Sequence, residues 1–392
     1  MYDVAAMSLS GQAAIVGVYE SPMRKSDGVH PFAVQQQCIK GALEDAGLTI
    51  DDVDGLATCA GDFAEGGTAQ DITEVAEYLG IVPTYFDSTD VGGSSYVTHA
   101  GHAAAAIASG LADVIVVSYA ACMRWWPVPG MWDEALFPAG PGQFDVINPG
   151  SIPAFYALVA QRHMHEFGTT REQLAEIAVT CRANAANNEH ARYRDPLTVQ
   201  DVLDAPTVAS PFGRFDCCVV TDSGGAFVMT NAERAKDCRK PPVWVGGFGE
   251  AVATVQMSQM DPLTSSPARF SGPKAFAMAG VKHEDIDVAQ LYDAFTITPL
   301  LAIEDLGFCD KGDGGPFVEA GGIRPDGSLP INTDGGGLSS NHPGKRGMFV
   351  VIEAVRQLRG EGPGVQIEGA KTALCNGNGG FVSASATLIL NR

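Results

Sequence analysis

Tyr85-Phe-Asp-Ser-Thr-Asp-Val-Gly92-Gly93-Ser94-Ser95-Tyr96, continued by an alanine-rich run to Ile107-Ala-Ser-Gly110, reads as a strand, a tight turn and a helix. A strand that feeds a glycine turn and a helix N-terminus is where α/β enzymes hold nucleophiles and oxyanion donors, because unpaired N–H groups and the positive end of the helix dipole converge there. No cysteine stands in this turn. How that absence is read decides what the chain does.

The surrounding sequence repeats the same texture. A buried strand at 13–18, a helix from Val34 to Ala46, an acidic turn into a strand ending at Cys59, a helix from Asp71 to Leu79 and a strand from Ala112 to Ala120 give a βαβαβαβ order. Such alternation predicts a mostly parallel sheet covered by helices. Between about 122 and 240 the texture changes. Three of the four tryptophans crowd into Met123–Trp132 beside prolines and a glycine, which reads as a loop lining something apolar. Helices follow at 154–167 and 170–186, the second opened by a capping box from Thr170 to Gln173. His163 and His165 cannot share a helix face and are read as structural. Strands return at 215–230 and 243–249. From Asp285 the first half's order recurs, with a strand at 287–292, helices to Leu306 and at 348–358, and strands at 372–375 and 383–390. The repeated order suggests an internal duplication.

At 392 residues the chain needs two or three packed lobes. Its charge of −21 disfavours nucleic acid and anionic membranes as partners. The longest apolar runs are strand-length and the first residues lack a basic flank before an apolar core, so the expected location is the cytoplasm. Nine cysteines without a CxxC pair point to neither a disulfide framework nor a structural zinc site.

Three further stretches carry candidate chemistry. Thr333-Asp-Gly-Gly-Gly-Leu-Ser-Ser-Asn-His342-Pro-Gly-Lys345-Arg346-Gly347 holds a histidine in a glycine-rich turn stiffened by Pro343, a setting for a general base or an oxyanion donor. Ala373-Leu-Cys375-Asn-Gly377 brings a thiol to the end of an apolar strand. Leu291-Tyr292-Asp293-Ala-Phe-Thr296 places two titratable groups at a strand-to-helix switch.

Taken together these stretches resemble the thiolase superfamily over nearly the whole chain. Asn341-His342-Pro343-Gly344 is similar to the family's Gly-His-Pro, Cys375-x-Gly377 to its Cys-x-Gly, Tyr292-Asp293-Ala-Phe to its Asn-Glu-Ala-Phe, Phe215–Thr230 to its Cys-x-x-x-Asp-Gly-Ala stretch, and Glu20-Ser-Pro22 to its first-strand ending. The resemblance implies a duplicated five-layer αβαβα fold, with halves at 1–121 plus 241–270 and at 271–392, and a loop domain at 122–240 over the substrate. It implies coenzyme A thioesters as substrates, no cofactor beyond that coenzyme A, no metal, and a homodimer. Counting back from Gly110 puts Gly93 at the family's nucleophile position; a one-residue gap puts Ser94 there.

Two of the family's three catalytic groups remain. Carried over, His342 stabilises a thioester enolate, Cys375 handles the Cα proton, and the amides of Gly93 and Gly377 form the oxyanion hole. With acyl transfer removed, the set suits retro-aldol cleavage of a β-hydroxyacyl-CoA to a shorter acyl-CoA and a ketone or aldehyde. Tyr292 serves the hydroxyl proton in this reading, provided its pKa is lowered, and Asp293 completes the catalytic set. The two departures resemble the thiolase-like lipid-transfer-protein aldolases of steroid side-chain degradation, which implies an acyl-CoA-binding OB-fold partner. Two readings stand beside it: an acyltransferase using Ser94 or a shifted Cys375, and a non-catalytic acyl-CoA-binding subunit. Expected substrate contacts are Ser94 and Ser95, which also suit a helix cap, Arg214, Lys345 and Arg346 near the coenzyme A phosphates, and Trp125 and Trp126 against the acyl group.

Overall fold

The computed structural model describes residues 9–59, 71–125, 151–254 and 257–392. Apolar strands and amphipathic helices fall where the patterns place them. The first lobe contains β1 (Ala13–Glu20), α1 (Pro31–Ala46), β2 (Gly55–Ala57), α2 (Asp71–Leu79), β3 (Tyr85–Asp87), α3 (Ser95–Ala108) and β4 (Val114–Ala121). Next come α4 (Ile152–Phe167), α5 (Arg171–Ala185), the one-and-a-half-turn α6 (Val199–Leu203) and a small hairpin, β5 (Thr207–Ala209) with β6 (Phe212–Gly213). The remainder holds β7 (Ser223–Asn231), β8 (Val243–Val252), α7 (Ala268–Ala279), β9 (Val288–Leu291), α8 (Ile297–Asp305), α9 (Gly314–Glu319), α10 (Gly347–Arg359), β10 (Thr372–Gly379) and β11 (Ala384–Asn391).

Nine strands run in the order β3-β2-β4-β7-β1-β8-β11-β10-β9, and the expected mostly parallel sheet does not form: β2 with β3 and β4, and β9 with β10, are parallel, while the other five pairs are antiparallel. The seam between β1 and β8 is short, pairing only Ala14 with Trp244 and Ile15 with Val243, so each half keeps its own sheet. Strand pairing corrects the expected domain boundaries. β7 lies within the stretch read as loop domain, yet it pairs with β1 and β4 along nearly its whole length and belongs to the first sheet. β8, read as part of the first half, pairs along its length with β11 and belongs to the second.

Burial shows why five layers form. Val34, Cys38, Ile39 and Leu43 of α1 cover the outer face of the first sheet against Val16, Val116 and Val228. The second sheet is covered on its far side by α4, α5, α7 and α8. Between the sheets, α3 and α10 share one core with side chains from both, so they must be apolar on opposite flanks. Alanines at 100, 103, 104 and 106 let α3 fit that narrow layer. The capping box forms: Thr170 Oγ1 accepts the Gln173 N–H at 3.2 Å, and Gln173 Oε1 accepts the Thr170 N–H at 3.1 Å. His163 is structural, buried between Thr169 and Glu304. Among the described residues no helix is long and apolar enough to cross a membrane.

Three glycines draw the second half onto the Gly92–Ser95 turn. A Cβ on Gly379 of β10 would overlap the Val91 carbonyl, one on Gly347 of α10 would overlap the Gly93 carbonyl, and one on Gly377 would lie 2.8 Å from Ser94 Oγ. Backbone therefore meets backbone where a side chain would hold the elements apart. Gly379→Ala should lower unfolding free energy by at least about 1–3 kcal/mol, measured by urea denaturation. A stability equal to the parent's would show that β10 does not press on the turn.

Candidate active site

Tyr292 leaves the end of β9 and is almost fully buried. Its ring lies against Gly93: a Cβ at residue 93 would overlap the ring and the phenolic oxygen. The phenol thus occupies the volume that a cysteine side chain at residue 93 would need. Its Oη lies 3.0 Å from His342 Nε2 and 3.1 Å from the Gly344 carbonyl, between which its one proton is shared, and it accepts the Arg346 N–H at 3.3 Å. The two rings meet edge to face, 5.6 Å apart at 89°. Burial raises the Tyr292 pKa well above its ordinary value, which overturns the expectation of a lowered one. The group is a phenol at neutral pH.

His342 is held through its backbone and its neighbour. Thr221 Oγ1 accepts the His342 N–H at 3.0 Å and donates to Asn341 Oδ1 at 2.7 Å. Asn341 Nδ2 donates to Glu20 Oε1 at 2.9 Å. Burial pushes the Glu20 carboxyl up, but Arg24 and Arg356 outweigh it and hold the pKa at about 2. The first-strand ending and the Asp-Ser-Gly stretch are thereby explained as anchors of the histidine loop. Burial and then the Arg346 charge lower the His342 pKa to about 4, so the imidazole is neutral.

Several expected site residues lie elsewhere. Cys375 faces the layer between the sheets, its Sγ donating to the Val350 carbonyl at 3.4 Å, and burial alone drives its pKa up, so it is a buried, protonated thiol. Asp293 is fully buried, its carboxylate wrapped by the N–H groups of Gly337 at 2.7 Å and Leu338 at 3.1 Å and paired with Arg346 at 3.1 Å; burial raises its pKa to about 6. It shapes the glycine-rich loop. Ser94 and Ser95 are wholly buried. Ser95 Oγ donates to the Gly92 carbonyl and accepts the Val91 N–H, locking the turn, while Ser94 packs on Gly377 and makes no cap. Lys345 is paired with Asp90 at 2.8 Å, and Arg346 is buried at 0% exposure, so neither meets a phosphate. Trp125 is exposed and stacks with Lys25, giving no apolar wall; Trp126 and Trp132 lie outside the described residues.

Arg214 lines an open cavity of about 310 Å³. Arg124, Arg192, Tyr193, the stretch Cys217 to Val220 and Leu338 line it as well. Arg124 and Arg192 were missed. The triplet Arg192-Tyr193-Arg194 is a visible basic signal, but nothing in its spacing ties it to Arg214. Buried Asp222 fixes the backbone at Arg124, accepting its main-chain N–H at 2.7 Å while holding the Ser26 N–H at 2.8 Å. The stretch 217–223 therefore runs from the basic cavity to the histidine loop. Three cations in one recess suit a polyanionic ligand, and the Tyr292–His342 pair suits proton transfer beside it.

Residues 249–392 match the family described as "Thiolase C-terminal domain-like". The chain is 36% identical over 365 residues to 17-hydroxy-3-oxo-4-pregnene-20-carboxyl-CoA lyase of Mycobacterium tuberculosis, a match covering 90% of this chain and 92% of that one. It is 32% identical over 357 residues to an acetyl-CoA acetyltransferase of Methanothermobacter thermautotrophicus, covering 90% and 92%. A solved structure titled Ltp2-ChsH2(DUF35) aldolase aligns with a TM-score of 0.88 at 30% identity over 98% of both chains.

Two outcomes test the geometry. Gly93→Ala forces the Tyr292 ring to move, and a crystal structure of the variant should show its Oη displaced from His342; an unmoved ring contradicts the steric reading. Because the His342 pKa is depressed on folding, only the unfolded chain binds that proton between about pH 4 and 6.5. Its contribution to stability is therefore complete above about pH 6.5 and lost as pH falls through that window. The stability difference between parent and His342→Asn should shrink accordingly in urea melts taken from pH 7 to pH 4.

Proposed function

The chain belongs to the thiolase superfamily, and within it we propose that it is a carbon–carbon lyase that cleaves β-hydroxyacyl-CoA thioesters by a retro-aldol reaction. One observation carries the reading: the Tyr292 phenol fills the space of a nucleophilic side chain at residue 93 and is hydrogen-bonded to neutral His342. The relative from Mycobacterium tuberculosis is by name a lyase of a hydroxylated steroid carboxyl-CoA, which supports a steroid acyl group here.

The pair works as a relay. Tyr292 Oη takes the proton of the β-hydroxyl as its own passes to His342 Nε2, the imidazole carrying its resident proton on Nδ1. The Cα–Cβ bond breaks, its electrons form the thioester enolate, and the β-carbon leaves as a ketone or aldehyde. The proton then returns from His342 through Tyr292 to Cα, completing the shortened acyl-CoA with no net proton change. A phenol with a raised pKa holds no standing charge, so it relays and does not store the proton. Imidazolium with a pKa near 4 is a strong acid, and it gives the proton back readily. The amides of Gly93 and Gly377, brought together by the turn, are the proposed enolate donors. Arg124, Arg192 and Arg214 take the coenzyme A phosphates, offsetting the overall charge of −21.

We extend the reading to assembly. β3 is the outer strand of the sheet and exposes Phe86, which suits pairing with a second copy. The DUF35 partner named with the aligned aldolase supports a similar partner here.

With partner present, Tyr292→Phe should lower kcat on a β-hydroxyacyl-CoA by about 10²- to 10⁴-fold, with binding of the ester nearly unchanged in calorimetry. Turnover equal to the parent's removes Tyr292 from the chemistry. Intact-mass spectra under single turnover should show no acyl adduct, and the acid limb of kcat should fall near pH 4, where His342 protonates. Arg192→Ala and Arg214→Ala should raise KM and leave kcat in place.

A further inference from the structure

We infer that Arg346 is a positioning residue for the Tyr292–His342 pair, one buried cation that holds the loop carrying the histidine and the amide facing the phenol. The inference rests on the relay reading for its effect on rate, and on geometry for everything else.

Arg346 is the largest fully buried side chain among the described residues. Its guanidinium is forked onto Asp334, Nη2 lying 2.7 and 2.9 Å from the two carboxylate oxygens. Nη1 donates to the Asn341 carbonyl at 2.9 Å, the residue immediately before His342. Nε is ion-paired with Asp293, the residue immediately after Tyr292. Its own backbone N–H is aimed at Tyr292 Oη. One residue therefore contacts the chain next to each partner and one partner directly. Lysine could satisfy one of these contacts but not the planar set. Lys345 beside it turns the other way, toward Asp90, so the sequence alone does not separate their roles.

The same cation sets the charge around the imidazole. From its own loop His342 faces Arg346; from the end of β9 it faces Tyr292; from the 217–223 stretch it meets the uncharged Thr221. Glu20 of β1 reaches only Asn341, and its charge is matched by Arg24 and Arg356. Asp293 and Asp334 lie on the guanidinium and draw its charge toward themselves. Arg346 is thus the charged neighbour that disfavours imidazolium: it keeps the ring unprotonated at rest and makes the imidazolium quick to return its proton.

Removing Arg346 alone strands two buried carboxylates, a change that can itself unfold the chain. The test therefore uses Arg346→Gln with Asp334→Asn, which removes one matched pair and leaves Asp293 held by the Gly337 and Leu338 N–H groups, alongside Arg346→Lys. Circular dichroism verifies folding, and ¹⁵N-histidine NMR follows the His342 titration, assigned by its loss in His342→Asn. In the double variant kcat should fall about 100-fold, as for a misplaced catalytic group, with KM within about threefold. The His342 titration should rise by about one pH unit or more. Arg346→Lys should restore the parent titration but only part of kcat, because charge returns and the fork does not. A folded double variant with parent kcat and an unmoved titration overturns the inference. A parent that cleaves no β-hydroxyacyl-CoA while the titration still shifts sinks the lyase reading and leaves the positioning role standing.

Discussion

The contact between Gly93 and the ring of Tyr292 is the constraint from which the rest of the site follows. A phenol cannot lie on a helix start unless the residue beneath it lacks a Cβ, and a nucleophile cannot stand there while the ring does. The two positions have to change together. Substitution at the turn and substitution at the end of β9 are one structural event seen at two places in the sequence, about 200 residues apart.

Holding that contact takes a backbone pressed from three sides. Gly347, Gly377 and Gly379 let α10 and β10 close on the turn with no side chains between. Behind them the charges of Arg346, Asp293 and Asp334 are compensated inside the protein. Such a cluster is weak evidence for stability, since its desolvation offsets much of its attraction. Its evident product is direction: it fixes where a loop with three glycines before His342 and two after it must run. The neutral imidazole and the neutral phenol are the electrical counterpart of that geometry, both kept uncharged by burial and the former also by Arg346.

Much of this was legible in the residues. Element order, the turn without a thiol, the capping box at Thr170, the structural role of His163 and the pairing of Tyr292 with His342 as candidates all came from pattern and resemblance. Boundaries fared worse at β7 and β8, because an apolar strand looks the same whichever sheet it joins. Motif matching says nothing of how Cys375 is set: the thiol shares the β10 face of Gly377 and Gly379 but is buried against the Val350 carbonyl of α10, a contact that no motif shows. It failed outright for Lys345 and Arg346, because a basic residue beside a motif reads alike whether it meets a phosphate or a buried carboxylate.

The sequence by itself determined the family, the sheet-and-helix order and the loss of a thiol at the turn, since each depends on local pattern and residue identity. Only the tertiary structure decided what replaced that thiol. Tyr292 and Gly93 meet through the packing of two halves, and the pKa of each group depends on how many water molecules and which charges that packing leaves beside it. Proximity and desolvation are properties of the assembled core, so the chain's chemistry became definite only when its two halves closed on one glycine.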